Sequence, residues 1–185
     1  MTTATVPETA PVPALRRLYL VRFGFALLWA IALFVLAPDL GPVVATLLVL
    51  YPLFDVGAAV VDARASRGTR SVPALVANIV LSTSVAIGLA FAVTSGAPAV
   101  LRVWGIWAIV AGLVQLLVAL RRRALGGQWA MIASGGLSVL AGASFVLQST
   151  GPDAMVGSTA GYALLGGVFF LVSALRLGRA ARSAG

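Results

Sequence analysis

The sequence predicts an all-α integral membrane protein of six transmembrane helices, arranged as three tandem hairpins with both termini in the cytoplasm. Three observations predict it. The 185 residues are 61% hydrophobic and only 10% charged, against about 25% charged in an ordinary soluble domain. The apolar residues gather in six continuous runs, each close to the roughly 20 residues that cross the hydrocarbon as a helix. The arginines cluster at every second gap between runs, which is the mark of an alternating topology.

Residues 1–14 are rich in Thr, Pro and Ala and read as a disordered cytoplasmic tail. They do not form a signal peptide, because the basic and apolar stretch begins only at Leu15 and more apolar runs follow. The membrane domain spans 15–179, and residues 180–185 form a second short tail. Within the domain the runs lie at about 15–37, 42–61, 73–94, 98–120, 129–148 and 157–177. They are continuous instead of alternating, so outer-membrane strands do not fit.

Short turns follow the odd runs. These are Ala37 to Pro42, Thr94 to Pro98 and Ser149 to Asp153, and each contains Gly and Pro, which end helices. Basic segments follow the even runs. They carry Arg64, Arg67 and Arg70, then Arg121, Arg122 and Arg123, then Arg176, Arg179 and Arg182. Arg16 and Arg17 precede the first run. The positive-inside rule then places both termini and both basic loops in the cytoplasm of an inner or plasma membrane protein. Only Arg102 lies on the far side; Trp104 beside it and Trp129 suit interfacial belts or packing equally.

Composition removes most chemistry. With no Cys and no His, thiol nucleophiles, thiolate sites and the commonest general base and metal ligand are gone. Every basic side chain is Arg, so Schiff-base lysines and a lysine phosphate loop are excluded. Gly126-Gly127 lacks the strand-before, helix-after setting of such a loop and reads as a turn. The acids are Glu8, Asp39, Asp55, Asp62 and Asp153, which leaves little for a carboxylate pair or a metal cage. The expectation is a protein without cofactor, metal or enzymatic activity. The net charge of +8 sits at the ends of apolar runs, where it meets lipid head groups and not nucleic acid. Arg121, Arg122 and Arg123 are the candidate contacts to anionic lipid, beside their role in setting topology.

The runs pair into hairpins at about 15–61, 73–120 and 129–177, which resemble one another at a period of about 55 residues. With Tyr51, Trp107 and Tyr162 in register, Ala63, Ala119 and Ala174 coincide, as do Val56, Gly112 and Gly167. Pro38, Pro98 and Pro152 occupy similar turns. Such tandem hairpins with arginine-ended even helices resemble the HdeD-like membrane proteins, most clearly over Trp129–Arg179. The resemblance implies a six-helix fold and a part in acid or membrane-stress tolerance. It brings no catalytic motif.

One charge lies well inside a run. Asp55 sits in the second helix, where a charge costs roughly 2.5–3.5 kcal/mol near mid-bilayer. Arg22 lies at a depth within roughly 3 Å of it on the neighbouring helix, so the two are placed to pair. Independent snorkelling of Arg22 and an ion- or proton-handling Asp55 are the other readings. Asn78, Gln115 and Ser134 lie at similar depth and complete a candidate polar cluster, either an interhelical hydrogen-bond layer or a cytoplasmic vestibule for a small solute. Ala130, Ser134, Ser138 and Gly142 form a small-residue stripe, and Gly105, Gly112, Gly166 and Gly167 soften the fourth and sixth helices for close approach, within one chain or in a homo-oligomer. Two functions follow: a structural or stress-response membrane protein, and a small transporter or channel centred on Asp55. Pro52, one turn before Asp55, is the single intramembrane Pro that hints at the second.

Overall fold

A computed structural model describes residues 12–37, 39–65, 72–121, 128–152 and 154–183. Six long helices fill them: α1 Val12–Leu36, α2 Pro42–Ala65, α3 Val72–Ala92, α4 Ala97–Arg121, α5 Trp129–Gln148 and α6 Ser158–Ser183. No strand occurs among the described residues. All six helices are long and apolar enough to cross a membrane, the architecture of a multi-pass membrane protein. Arg67, Arg70, Arg122, Arg123, Gly126, Gly127, Pro38 and Asp153 lie outside the described residues.

Apolar side chains cover the helices on every face, and many point outward. Phe34 is 77% exposed, Phe91 74% and Leu147 72%. In water such a surface would aggregate, whereas acyl chains solvate it.

The turns follow from local chemistry. A 3-10 turn, Val93–Ser95, ends α3. Gly96 then takes a φ of 92°, a left-handed backbone that side chains resist. Its carbonyl accepts from the amides of Ala99 and Val100 in the first turn of α4. Pro52 does not break α2, which continues to Ala65. Trp29 Nε1 donates to the Leu47 carbonyl at 2.6 Å, one turn before Pro52, and ties α1 to α2 there.

Each helix packs on its neighbour in the chain, and α6 closes back on α1, so the six form a ring. The closest pairs are α4–α5, α1–α6 and α2–α3. These pairs are not the ones joined by short turns, so tight packing runs between the expected hairpins and not within them. Glycine explains the closest pair. A Cβ on Gly105 would lie 2.7 Å from the Gly142 carbonyl, and one on Gly112 would lie 2.6 Å from that of Gly135. The two backbones touch at both points. Gly167 packs similarly on Ala26 between α6 and α1. Gly166 does not: nothing lies within 4 Å of its Cβ direction, so it softens no contact. On α5, Gly135, Ser138 and Gly142 meet α4, whereas Ala130 and Ser134 line the ring interior, which Ser138 borders as well. The expected stripe is therefore split between two faces.

The ring is packed at one end and hollow at the other. Leu33, Val44, Leu48, Leu89, Val100 and Leu101 are buried near the short turns. Below them Trp29, Tyr51, Trp104 and Trp107 form an aromatic cluster, with ring centroids 4.7 Å apart for Trp29–Tyr51 and 5.1 Å for Trp104–Trp107. Trp104 is fully buried in this cluster, so it is not an interfacial anchor. Trp129 is 80% exposed at the start of α5, as a belt residue would be. Arg16, Arg17, Arg64, Arg121, Arg176 and Arg179 are exposed around the hollow end.

Candidate functional site

Beneath the aromatic cluster lies a cavity of about 540 Å³ lined by all six helices. It runs from Gln128, just before α5, to Ser138 and Tyr162. Ten residues of helical rise separate Gln128 from Ser138, which is roughly 15 Å. Between α5 and α6 its lining includes Leu137 and Leu165. The α5–α6 seam is the most loosely packed of the ring.

The polar wall is built on α1, α2 and α3. Arg22 Nη1 donates to Asp55 Oδ1 at 3.0 Å in an ion pair whose side chains are 11% and 20% exposed. Asn78 Nδ2 donates to Asp55 Oδ2 at 2.7 Å, and Ser82 Oγ donates to the same oxygen at 2.8 Å. Arg22 therefore does not snorkel independently. Its guanidinium also lies over the Phe170 ring, 5.0 Å from the centroid. The carboxylate is held by three donors from two helices that flank α2. A charge in hydrocarbon is tolerable on those terms.

Gln115 and Ser134 line the same cavity from α4 and α5, away from this network. Tyr162 Oη donates to Ser138 Oγ at 3.2 Å between α6 and α5. The expected polar layer is thus a compact network of Arg22, Asp55 and Asn78, with Gln115 and Ser134 on the facing part of the wall. Ser82 was not singled out from the sequence. One signal points to it: it follows Asn78 by four residues, which puts both on one helical face. Arg121, the described member of the candidate lipid contacts, is exposed at the basic end.

No family model, curated protein or solved structure matches the chain. The site must be read from its own geometry. Two buried donors lack a partner among the described residues: Arg22 Nε and Trp104 Nε1. Arg22 offers five N–H donors in all (about two per terminal nitrogen and one on Nε), and its bond to Asp55 uses Nη1. The network is therefore rich in donors and short of acceptors.

Ser82 supports Asp55 from a position that is fully buried. Ser82→Ala leaves Oδ2 with Asn78 alone. It is expected to lower stability by about 1 kcal/mol, between the roughly 0.6 kcal/mol typical of intramembrane bonds and the larger values of charged ones. Reversible unfolding in mixed micelles measures this. A change within error would mean that Asn78 suffices.

Proposed function

We propose that this chain is a non-enzymatic inner-membrane protein of the HdeD-like type that admits a small solute into a cup open to the cytoplasm. The observation that carries the reading is the cavity lined by all six helices, with a charged network on its wall and a packed core above it. A cup of this shape takes up a ligand from one end. The positive-inside rule assigns the end ringed by exposed arginines to the cytoplasm, with both termini.

Three tandem hairpins are part of the same proposal. In the repeat register Tyr51, Trp107 and Tyr162 are equivalent, and all three line the cavity. So do Asp55, Ala111 and Gly166, and so do Arg22, Asn78 and Ser134, which are spaced by one repeat. Tight pairing of each even helix with the odd helix that follows it, and of α6 with α1, suits a threefold arrangement of hairpins.

A second reading is favoured by one specific observation. Both oxygens of Asp55 are engaged by donors, so the network also serves as a clamp joining α1, α2 and α3. On that reading the protein acts by packing, oligomerising or touching lipid in acid or membrane stress.

Labelling separates the two. The chain has no native cysteine. Ser134→Cys is expected to react with a membrane-impermeant maleimide in inverted vesicles and not in right-side-out ones. Leu89→Cys, in the core, is the unreactive control. Inert Ser134→Cys in both vesicle types would reject the open cup; reaction in the right-side-out vesicles alone would reject the orientation.

A further inference from the structure

We propose that the cavity is a site for a small amphipathic carboxylate, its carboxylate on Arg22 and its apolar body against the aromatic wall. This rests on the solute-binding reading above and names the ligand class. The argument begins with hydrogen-bond supply. Asp55 takes one bond from Arg22, one from Asn78 and one from Ser82. Arg22 lines the cavity, and its bond to Asp55 engages Nη1 alone of the guanidinium nitrogens. A guanidinium with donors to spare takes an anionic oxygen best.

Charge points the same way. Asp55 is the sole acid among the lining residues, and its charge is already matched by three donors. The exposed arginines at the open end raise the local concentration of anions and repel cations. An organic cation on an aromatic face is the main rival, because Tyr51, Trp107, Tyr162, Phe169 and Phe170 all line the cavity. The guanidinium of Arg22 already occupies the Phe170 face, however. A second cation there would meet like charge.

Shape then selects an amphipathic body. Aromatic and aliphatic surface makes up the larger part of the wall, with the Arg22 network and several hydroxyl and amide groups set into it. A fully hydrated anion such as phosphate would leave most of that wall against water. An aromatic or branched carboxylate covers it, and 540 Å³ is ample for one.

Radiolabelled benzoate is the probe, dialysed to equilibrium against the full-length protein in lipid nanodiscs, with empty nanodiscs as blank. Saturable binding is expected, with unlabelled benzamide competing at least 10-fold more weakly than unlabelled benzoate. Arg22→Lys keeps a charge for Asp55 and loses the guanidinium fork, and is expected to weaken benzoate at least 10-fold. Gly166→Leu places bulk on the cavity wall at a position where a Cβ meets nothing within 4 Å, and is expected to abolish binding while the protein still folds. It keeps the test decisive if Arg22→Lys does not fold. Equal competition by benzamide, or undiminished binding in either folded variant, overturns the proposal. Absent benzoate binding with Ser134→Cys still labelled overturns this inference alone. Absent binding with Ser134→Cys inert overturns the solute reading beneath it too.

Discussion

Asp55→Ala is expected to remove about 3–5 kcal/mol of stability, because it strands a buried guanidinium. Arg22 is 11% exposed and pairs with Asp55. Removing the carboxylate also leaves Asn78 Nδ2 and the Ser82 hydroxyl without their acceptor. The chain then has two escapes. Arg22 drags water or head groups inward, or α1 shifts along its axis to bring Arg22 nearer the basic end. Either one disturbs the α1–α6 contact, where Gly167 meets Ala26. Asp55→Asn is expected to lose less, since the amide oxygen still accepts from Arg22 or Asn78. The decisive comparison is the pair Arg22→Leu with Asp55→Leu. Replacing both partners of a buried pair by apolar groups is often neutral or stabilising. The double variant should therefore recover most of what Asp55→Ala loses, with a coupling well above 1 kcal/mol, as expected for groups in one network. Unfolding in mixed micelles, read alongside the amount recovered from membranes, measures it. Additive single and double effects would show that the ion pair carries no stability.

The six spans were legible because bilayer thickness dictates helix length, and each apolar run is bounded by Gly, Pro or Arg. The ion pair was legible too. Two charges at one depth on adjacent antiparallel helices leave few alternatives, and helical rise alone supplies the depth. Rotation about the helix axis was not legible. Ser82, Thr83 and Ser84 stand together in α3, but Thr83 and Ser84 bond the carbonyls of Ile79 and Val80 on their own helix, and Ser82 alone reaches Asp55. Nothing in an all-round apolar helix marks which face turns inward. The same ambiguity hid Gly135, which touches α4, beside Gly136, which has open space around it. It also left Trp104 undecided between a belt and the core. Closure of α6 on α1 was out of reach for a different reason. It joins the two ends of the chain, and local pattern carries no record of that.

The α4–α5 contact yields the second large effect, and it follows from backbone geometry alone. Gly112→Val is expected to separate the two helices and lower stability by about 3 kcal/mol, the upper part of the overpacking range. A Cβ at Gly112 would meet the Gly135 carbonyl at 2.6 Å and Ser138 Cβ at 2.9 Å. The first of these is a backbone atom, so no rotamer change relieves it. The contact recurs at Gly105 and Gly142, where each Cβ would approach the opposite carbonyl to 2.7 and 2.5 Å. Gly112 and Gly105 are seven residues apart, as are Gly142 and Gly135, so both meetings lie on one seam of an antiparallel pair. Widening one meeting forces the other open, and the lost close packing is not replaced by acyl chains, which cannot enter so narrow a gap. Gly166→Ala on α6 is the matched control. Its Cβ would meet nothing within 4 Å, and exchanging Gly for Ala in a helix is favourable by about 1 kcal/mol. It should be neutral or slightly stabilising. If Gly112→Val and Gly166→Ala behave alike in thermal unfolding, the α4–α5 seam is not held by backbone contact. If they differ as expected, backbone contact holds the α4–α5 seam, in contrast to the sparsely packed α5–α6 seam.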